Sequence, residues 1–319
     1  MRSLLLLLPL LAACSSLSSE DAQQLAAYQR RAGIYFEGGK YDQALGQVQR
    51  GLELDADDYK LRSIRAAILL RTSGPAGGRE HPRLDASLDE FAEVFAQRSP
   101  SRHDRHVLFY YALAREKQGM RKLSEAARVD RTQPDADELT ATATAASEAA
   151  FEGAVELLSV LLERGEIPRL CHFHLLQIAA ARGDSAGILA HGDAYLTAAA
   201  AEQERVELEL DQTTVYGYEQ DRKRSLEALR QQEVAVRTMM AQQLYQKGDY
   251  AAALPHVDAV LRIDPSRSDD HYNRGLILLE LGRIDAAKAD MRTFLATTSL
   301  PPDSPKVVDA VQALTRSGR

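Results

Sequence analysis

The sequence predicts an all-α protein built from stacked helical hairpins, and three observations carry that prediction. Ala, Leu, Glu, Arg and Gln, all strong helix formers, dominate long stretches of the 319 residues. Gly and Pro fall between the periodic segments, where they punctuate helices. A pattern around a turn glycine recurs, with Gly248 and Gly282 separated by 34 residues. Hydrophobic residues make up 45% of the chain, enough for a sizeable core. Aromatics are 6% and Trp is absent, which suits close helix packing through small residues better than a β-sandwich. The net charge of -7 argues against a general nucleic-acid binder, which needs a basic face to displace counterions.

The N-terminus comes first. Met1-Arg2-Ser3 is a short positive start, followed by an apolar run from Leu4 to Leu11. That run is shorter than the ~20 apolar residues a membrane span needs, so residues 1–13 read as a signal peptide. Leu11-Ala12-Ala13-Cys14 resembles the lipobox of bacterial lipoproteins. The resemblance implies that Cys14 becomes the first mature residue and carries the lipid. Ser15 in place of an Asp implies the outer membrane, facing the periplasm, and residues 14–24 serve as a lipidated tether. Processing would delete one of the 39 basic side chains and no acid, leaving 38 against 46. Acyl chains rather than a basic patch would then anchor the protein. Of the two cysteines, only Cys171 remains, as a small buried hydrophobe.

Three segments align on one another. The first holds Gly39-Lys40-Tyr41-Asp42-Gln43-Ala44, the second Gly248-Asp249-Tyr250-Ala251-Ala252-Ala253, and the third Gly282-Arg283-Ile284-Asp285-Ala286-Ala287. In 25–58, small and bulky slots are filled by Ala32, Tyr35, Ala44 and Val48; in 234–267 by Ala241, Leu244, Ala253 and Val257; in 268–301 by Gly275, Leu278, Ala287 and Met291. Two antiparallel helices cross closely only where small residues meet, and a bulky neighbour one turn on fills the adjacent gap. These units resemble tetratricopeptide repeats. Arg237 departs from the family pattern, as do Ser299 and Ala56 where a closing Pro is usual.

The rest follows in chain order. Residues 25–197 are expected to hold the first unit and then degenerate hairpins: helices over 59–71 and 86–98 around a Gly/Pro-rich loop, a weaker pair over 103–118 and 122–131, and helices over 148–164 and 170–181 split by Gly165 and Pro168. Residues 198–246 read as one long helix, its 198–233 part a connector into the penultimate repeat; the alternating Val206-Glu207-Leu208-Glu209-Leu210 leaves a short strand as the rival. Residues 234–301 are the two C-terminal repeats. Residues 302–319 supply a capping helix over 306–315 and a tail, because a terminal repeat otherwise exposes its apolar face. The whole is a helical-hairpin superhelix with a long connecting helix and a cap.

No constellation in the sequence supports catalysis. Cys171-His172-Phe173-His174 places ligands two apart on a helix, where they diverge, and no second cluster has zinc-type spacing. His103 and His106 are expected to open an exposed helix. Gly74 to Gly78 follows no strand, so it is not a phosphate loop. Arg182-Gly183-Asp184 reads as an inter-helix turn. The expectation is a non-enzyme without cofactor or metal. The repeat resemblance implies instead a concave groove lined by the first helix of each unit: Phe36 and Glu37 in the first, Gln242 and Tyr245 in the penultimate, and Tyr272, Leu276, Leu279 and Glu280 in the last. Packing against the long helix or the cap is the alternative for each. The Lys/Asn carboxylate clamp of chaperone adaptors is replaced here by Tyr272 and Leu276. The implied role is a scaffold that holds protein partners of the cell envelope, as in pilus assembly, outer-membrane protein insertion or polysaccharide export, with no nucleic acid and no small-molecule substrate. A spacer that self-associates through its long helix is one alternative, and a helical metal-binding enzyme another.

Overall fold

A computed structural model describes residues 17–75, 82–98, 102–211 and 216–315. Among them are thirteen α-helices and no strand. The chain divides into two compact units, up to Ala154 and from Val155 onward, with the division inside one helix. Cys14, the expected lipid site, lies outside the described residues. No described helix is long and apolar enough to cross a membrane.

The first unit holds α1 (Ser19–Glu37), α2 (Tyr41–Leu54), α3 (Tyr59–Arg71), α4 (Pro82–Ala96), α5 (Arg105–Ala127) and the first part of α6 (Ala136–Glu163). Ser18 starts α1 by accepting the Asp21 N–H, and Asp58 starts α3 by accepting that of Leu61, the N-cap chemistry that satisfies otherwise orphaned amides. Pairs α1–α2 and α3–α4 pack as hairpins. Ala32 and Ala44 are fully buried where α1 meets α2, and Val48 fills the space beside them.

Three expectations change in this unit. The helix expected over 148–164 already starts at Ala136. The break placed between 118 and 122 does not occur: α5 runs straight through it. The reason is Gly119, whose bare face takes the Phe151 ring; a Cβ there would lie 2.5 Å from Phe151 Cε1. Ser147 also donates to the Gly119 carbonyl, tying α6 to the middle of α5. His103 does not open an exposed helix. It is buried before α5, its ring stacked on Phe95 at 4.3 Å, with Nε2 facing the carbonyls of Phe95 and Arg98 and Nδ1 3.0 Å from the Tyr59 hydroxyl. A carbonyl accepts only from an N–H, so the Nε2–H tautomer is present and Tyr59 donates to Nδ1.

The second unit holds the end of α6, then α7 (Pro168–Arg182), α8 (Ser185–Asp211), α9 (Tyr216–Gln246), α10 (Tyr250–Ile263), α11 (Ser268–Glu280), α12 (Ile284–Thr297) and α13 (Pro305–Thr315). Hairpins α7–α8, α9–α10 and α11–α12 follow one another, and α13 packs on α12. The helix expected over 198–246 is two helices. Residues 198–211 complete α8, and α9 begins at Tyr216. Folding back lets Val206 and Leu210 meet Leu226 and Leu229; a straight helix would leave these side chains in water, at about 25 cal/mol per Å² of apolar surface. The alternating 206–210 segment is helical. The end of α9 still enters the penultimate repeat without interruption.

The turn glycines explain the repeat spacing. Gly39, Gly248 and Gly282 take φ of +69°, +76° and +72°. In each turn the next residue's N–H reaches five residues back: Lys40 to Tyr35, Asp249 to Leu244 and Arg283 to Leu278, at 2.8–2.9 Å. This is the Schellman ending of a helix, which needs a left-handed residue that glycine supplies without strain. Gly165 and Gly183 end α6 and α7 in the same way.

A polar network then locks three helices. Arg274 of α11 gives two hydrogen bonds to Asp290 of α12, both 2.7 Å, and a third to Asp258 of α10 at 2.9 Å. His271 Nδ1 lies 3.0 Å from the same Asp290. Through the Arg274–Asp258 bond the network ties the two C-terminal hairpins together.

Candidate functional site

The expected groove residues fall into two sets, one in each unit. In the first unit, Phe36 is half-buried near the end of α1, edge-on to Tyr110 of α5 at 5.4 Å and tilted against Tyr41 of α2 at 5.9 Å. Glu37 beside it is exposed.

The second unit holds a pocket of about 100 Å³ where the end of α9 faces α11. Gln242, Tyr245 and Leu276, all expected from the sequence, line it with Ala241, Val257, Asn273 and Ile277. Its floor is the shared core of the two hairpins: Ala241 and Val257 from one, Ile277 from the next. Gln242 is exposed and Tyr245 half-buried, its ring edge-on to Tyr250 at 5.3 Å. Burial raises the Tyr245 phenol above its usual range, helped by the charge of Glu280, the exposed last residue of α11. The cavity is lined mainly by apolar atoms, with Gln242, Tyr245 and Asn273 among the residues around it. Such a cavity can take one aliphatic or aromatic side chain.

Two expected residues do other work. Tyr272 is 7% exposed and packs into the cluster that seals the last hairpin, against Phe294, Met291, Val307 and Ala310. Its hydroxyl donates to Asp309 of α13 at 3.2 Å. Burial and the Asp309 charge push its phenol up to about 12. It belongs to the cap, the alternative weighed above. Leu279 is half-buried between the cap cluster and the inter-hairpin core.

Asn273 and Ile277 were not among the expected residues. The signal was present for Asn273, since it lies three residues before Leu276 and shares its helix face. Ala241 and Val257 were read only as packing slots, and they are also the pocket's floor.

The other flagged motifs resolve simply. Cys171 is fully buried, its thiol pushed up to about 12 by burial, and Sγ points toward the Glu166 carbonyl. Arg182-Gly183-Asp184 is the α7–α8 turn, in which Asp184 caps α8 by accepting the Ala186 and Gly187 N–H groups. Among the described residues, no group of three or more His, Cys, Asp or Glu side chains is placed to hold a metal ion.

Residues 271–296 match the tetratricopeptide repeat family. The matched stretch covers most of α11 and α12, the hairpin that carries Asn273, Leu276 and the Arg274–Asp290 pair. Comparison with curated proteins returns no match. Solved structures similar to this chain include the nuclear import adaptor Nro1, a hypoxic regulator of sterol synthesis, at 11% identity over 93% of both chains with a TM-score of 0.48. A tetratricopeptide repeat protein from Parabacteroides merdae is 11% identical over 92% of this chain and 100% of that one, with a TM-score of 0.34. The tetratricopeptide repeat domain of P58(IPK) is 17% identical over 92% and 90%, with a TM-score of 0.26.

Proposed function

We propose that this chain is a non-catalytic scaffold that holds a protein partner of the bacterial cell envelope, tethered to the outer membrane through a lipid on Cys14 and assisting assembly of an envelope complex such as a pilus, an outer-membrane insertion machine or a polysaccharide exporter. The observation that carries the binding role is the pocket between consecutive hairpins, with Gln242, Tyr245, Asn273 and Leu276 around an apolar floor. A tetratricopeptide match on one of those hairpins supports it, because stacked repeats present extended surfaces for partners. The tether and its compartment rest on Leu11-Ala12-Ala13-Cys14 and Ser15.

Two experiments separate the parts. A photo-crosslinker at Gln242 should capture an envelope protein in intact cells, and Asn273→Ala, on the pocket lining, should weaken capture while circular dichroism confirms that the variant is folded. Equal capture from exposed Arg224, on the outer part of α9, would reject the pocket. For the tether, Cys14→Ser should release the protein from membranes and eliminate labelling by radioactive palmitate. An unlabelled wild-type protein that washes off membranes would reject it.

A further inference from the structure

The α7–α8 hairpin carries a side-chain pair that the groove does not use. His172 on α7 and His191 on α8 face each other across the hairpin, both half-buried. Their Nδ1 atoms are 3.3 Å apart and their ring centroids 5.5 Å. We propose that His172 and His191 form a binding site for a borderline transition-metal dication such as zinc, nickel or copper(II), clamped between α7 and α8.

The geometry is the first argument. Imidazole nitrogens bind zinc at about 2.0–2.1 Å, and two of them at a tetrahedral angle sit about 3.3–3.4 Å apart. The two Nδ1 atoms already stand at that separation. The chemistry of the donors is the second. Two imidazoles suit zinc, copper and nickel, whereas calcium and magnesium demand oxygen ligands. Without metal, a single hydrogen can lie between the two Nδ1 atoms, so the contact is at most one neutral hydrogen bond.

The neighbours set the limits of the site. Cys171 turns its sulfur toward Glu166, and the His174 ring lies edge-on to Phe173. The protein therefore supplies two ligands and water completes the shell, which makes the ion exchangeable rather than a permanent structural zinc. The ion would join the two helices of one hairpin, independently of whether the pocket holds a partner.

The test uses the full chain with no polyhistidine tag, at pH 7.5. Titration calorimetry with nickel chloride should show one ion per chain. His172→Ala and His191→Ala should each weaken binding about tenfold or more, the scale on which metal sites respond to a lost supporting group, while His106→Ala, at an exposed position, should change nothing. Copper(II) at one equivalent should give an electron paramagnetic resonance spectrum split by two nitrogen nuclei, reduced in His191→Ala. His172→Gln repeats the ligand loss with a polar side chain of similar size, and circular dichroism confirms its fold. Binding that is equal in wild type and in both folded variants, or no stoichiometric binding at all, overturns the proposal.

Discussion

Removing the Asp290 carboxylate should destabilise the C-terminal hairpins more than any other single polar change in them. Asp290 accepts both forked hydrogen bonds of Arg274, faces His271, and has a side chain only 6% exposed. Breaking a buried, hydrogen-bonded ion pair by deleting one partner costs about 3–5 kcal/mol, because the other charge stays behind. Arg274 is 27% exposed and keeps Asp258, whose own side chain is 42% exposed. Water and Asp258 therefore recover part of the loss, and about 3 kcal/mol is expected for Asp290→Ala. With a urea m-value of about 2 kcal/mol/M, the unfolding midpoint should fall by about 1.5 M. Asp258→Ala removes a solvent-screened partner and should cost about 1 kcal/mol or less. Arg274→Met combined with Asp290→Leu should lie closer to wild type than Asp290→Ala alone, since replacing a buried pair by apolar side chains is often nearly neutral. Urea unfolding followed by circular dichroism at 222 nm reads all four proteins. A shift below about 0.3 M for Asp290→Ala, or equal shifts for Asp290→Ala and Asp258→Ala, would refute the claim that this network holds the hairpins together.

Three further outcomes follow from local geometry. Gly119→Ala should destabilise by about 1–3 kcal/mol, because its Cβ would enter the Phe151 ring; Gly46→Ala, in the middle of α2 with nothing within 4 Å of a Cβ, should stabilise by roughly 0.5–1 kcal/mol, and thermal melts of the pair compare the two. Gly282→Ala should cost about 1–2 kcal/mol, since φ is +72° and no neighbour is touched, leaving backbone strain as the cause. Tyr272 provides a pH test: its folded value of about 12 is above the ordinary value of about 10. The fold favours the neutral phenol, so its contribution is complete below pH ~10 and is lost as pH rises toward about 12. Wild type should lose on the order of 1–2 kcal/mol more than Tyr272→Phe across that window, read as urea midpoints at pH 9 and pH 11.5.

Most helices were legible where a periodic apolar face met a glycine or proline stop, although the first parts of α6 and α8 were not. Tyr59–Arg71 was read to the residue, and the terminal helix to within one position. The errors have a common cause. Residues 118–122 contain a glycine that looks like a stop, and its real role, admitting the Phe151 ring, depends on a residue more than thirty positions away. Residues 198–246 contain mostly helix formers, so local propensity alone favours one rod; the fold back after Asp211 is favoured by apolar contacts between its two halves. Sequence register picked Gln242, Tyr245 and Leu276, and these three line the pocket. It could not tell Tyr272 from them, because the face that Tyr272 presents is covered by a helix thirty-odd residues further on.

By itself, the sequence determined the class of architecture: period, turn glycines and small-residue slots are local patterns, and helix-hairpin formation is governed by contacts close in the chain. The tertiary structure alone decided which faces stay open, which of two aromatic residues lines the pocket and which the cap covers, and that His172 would find His191. Those outcomes depend on distances between helices, and sidechain patterns in one helix carry no record of the element that packs against it.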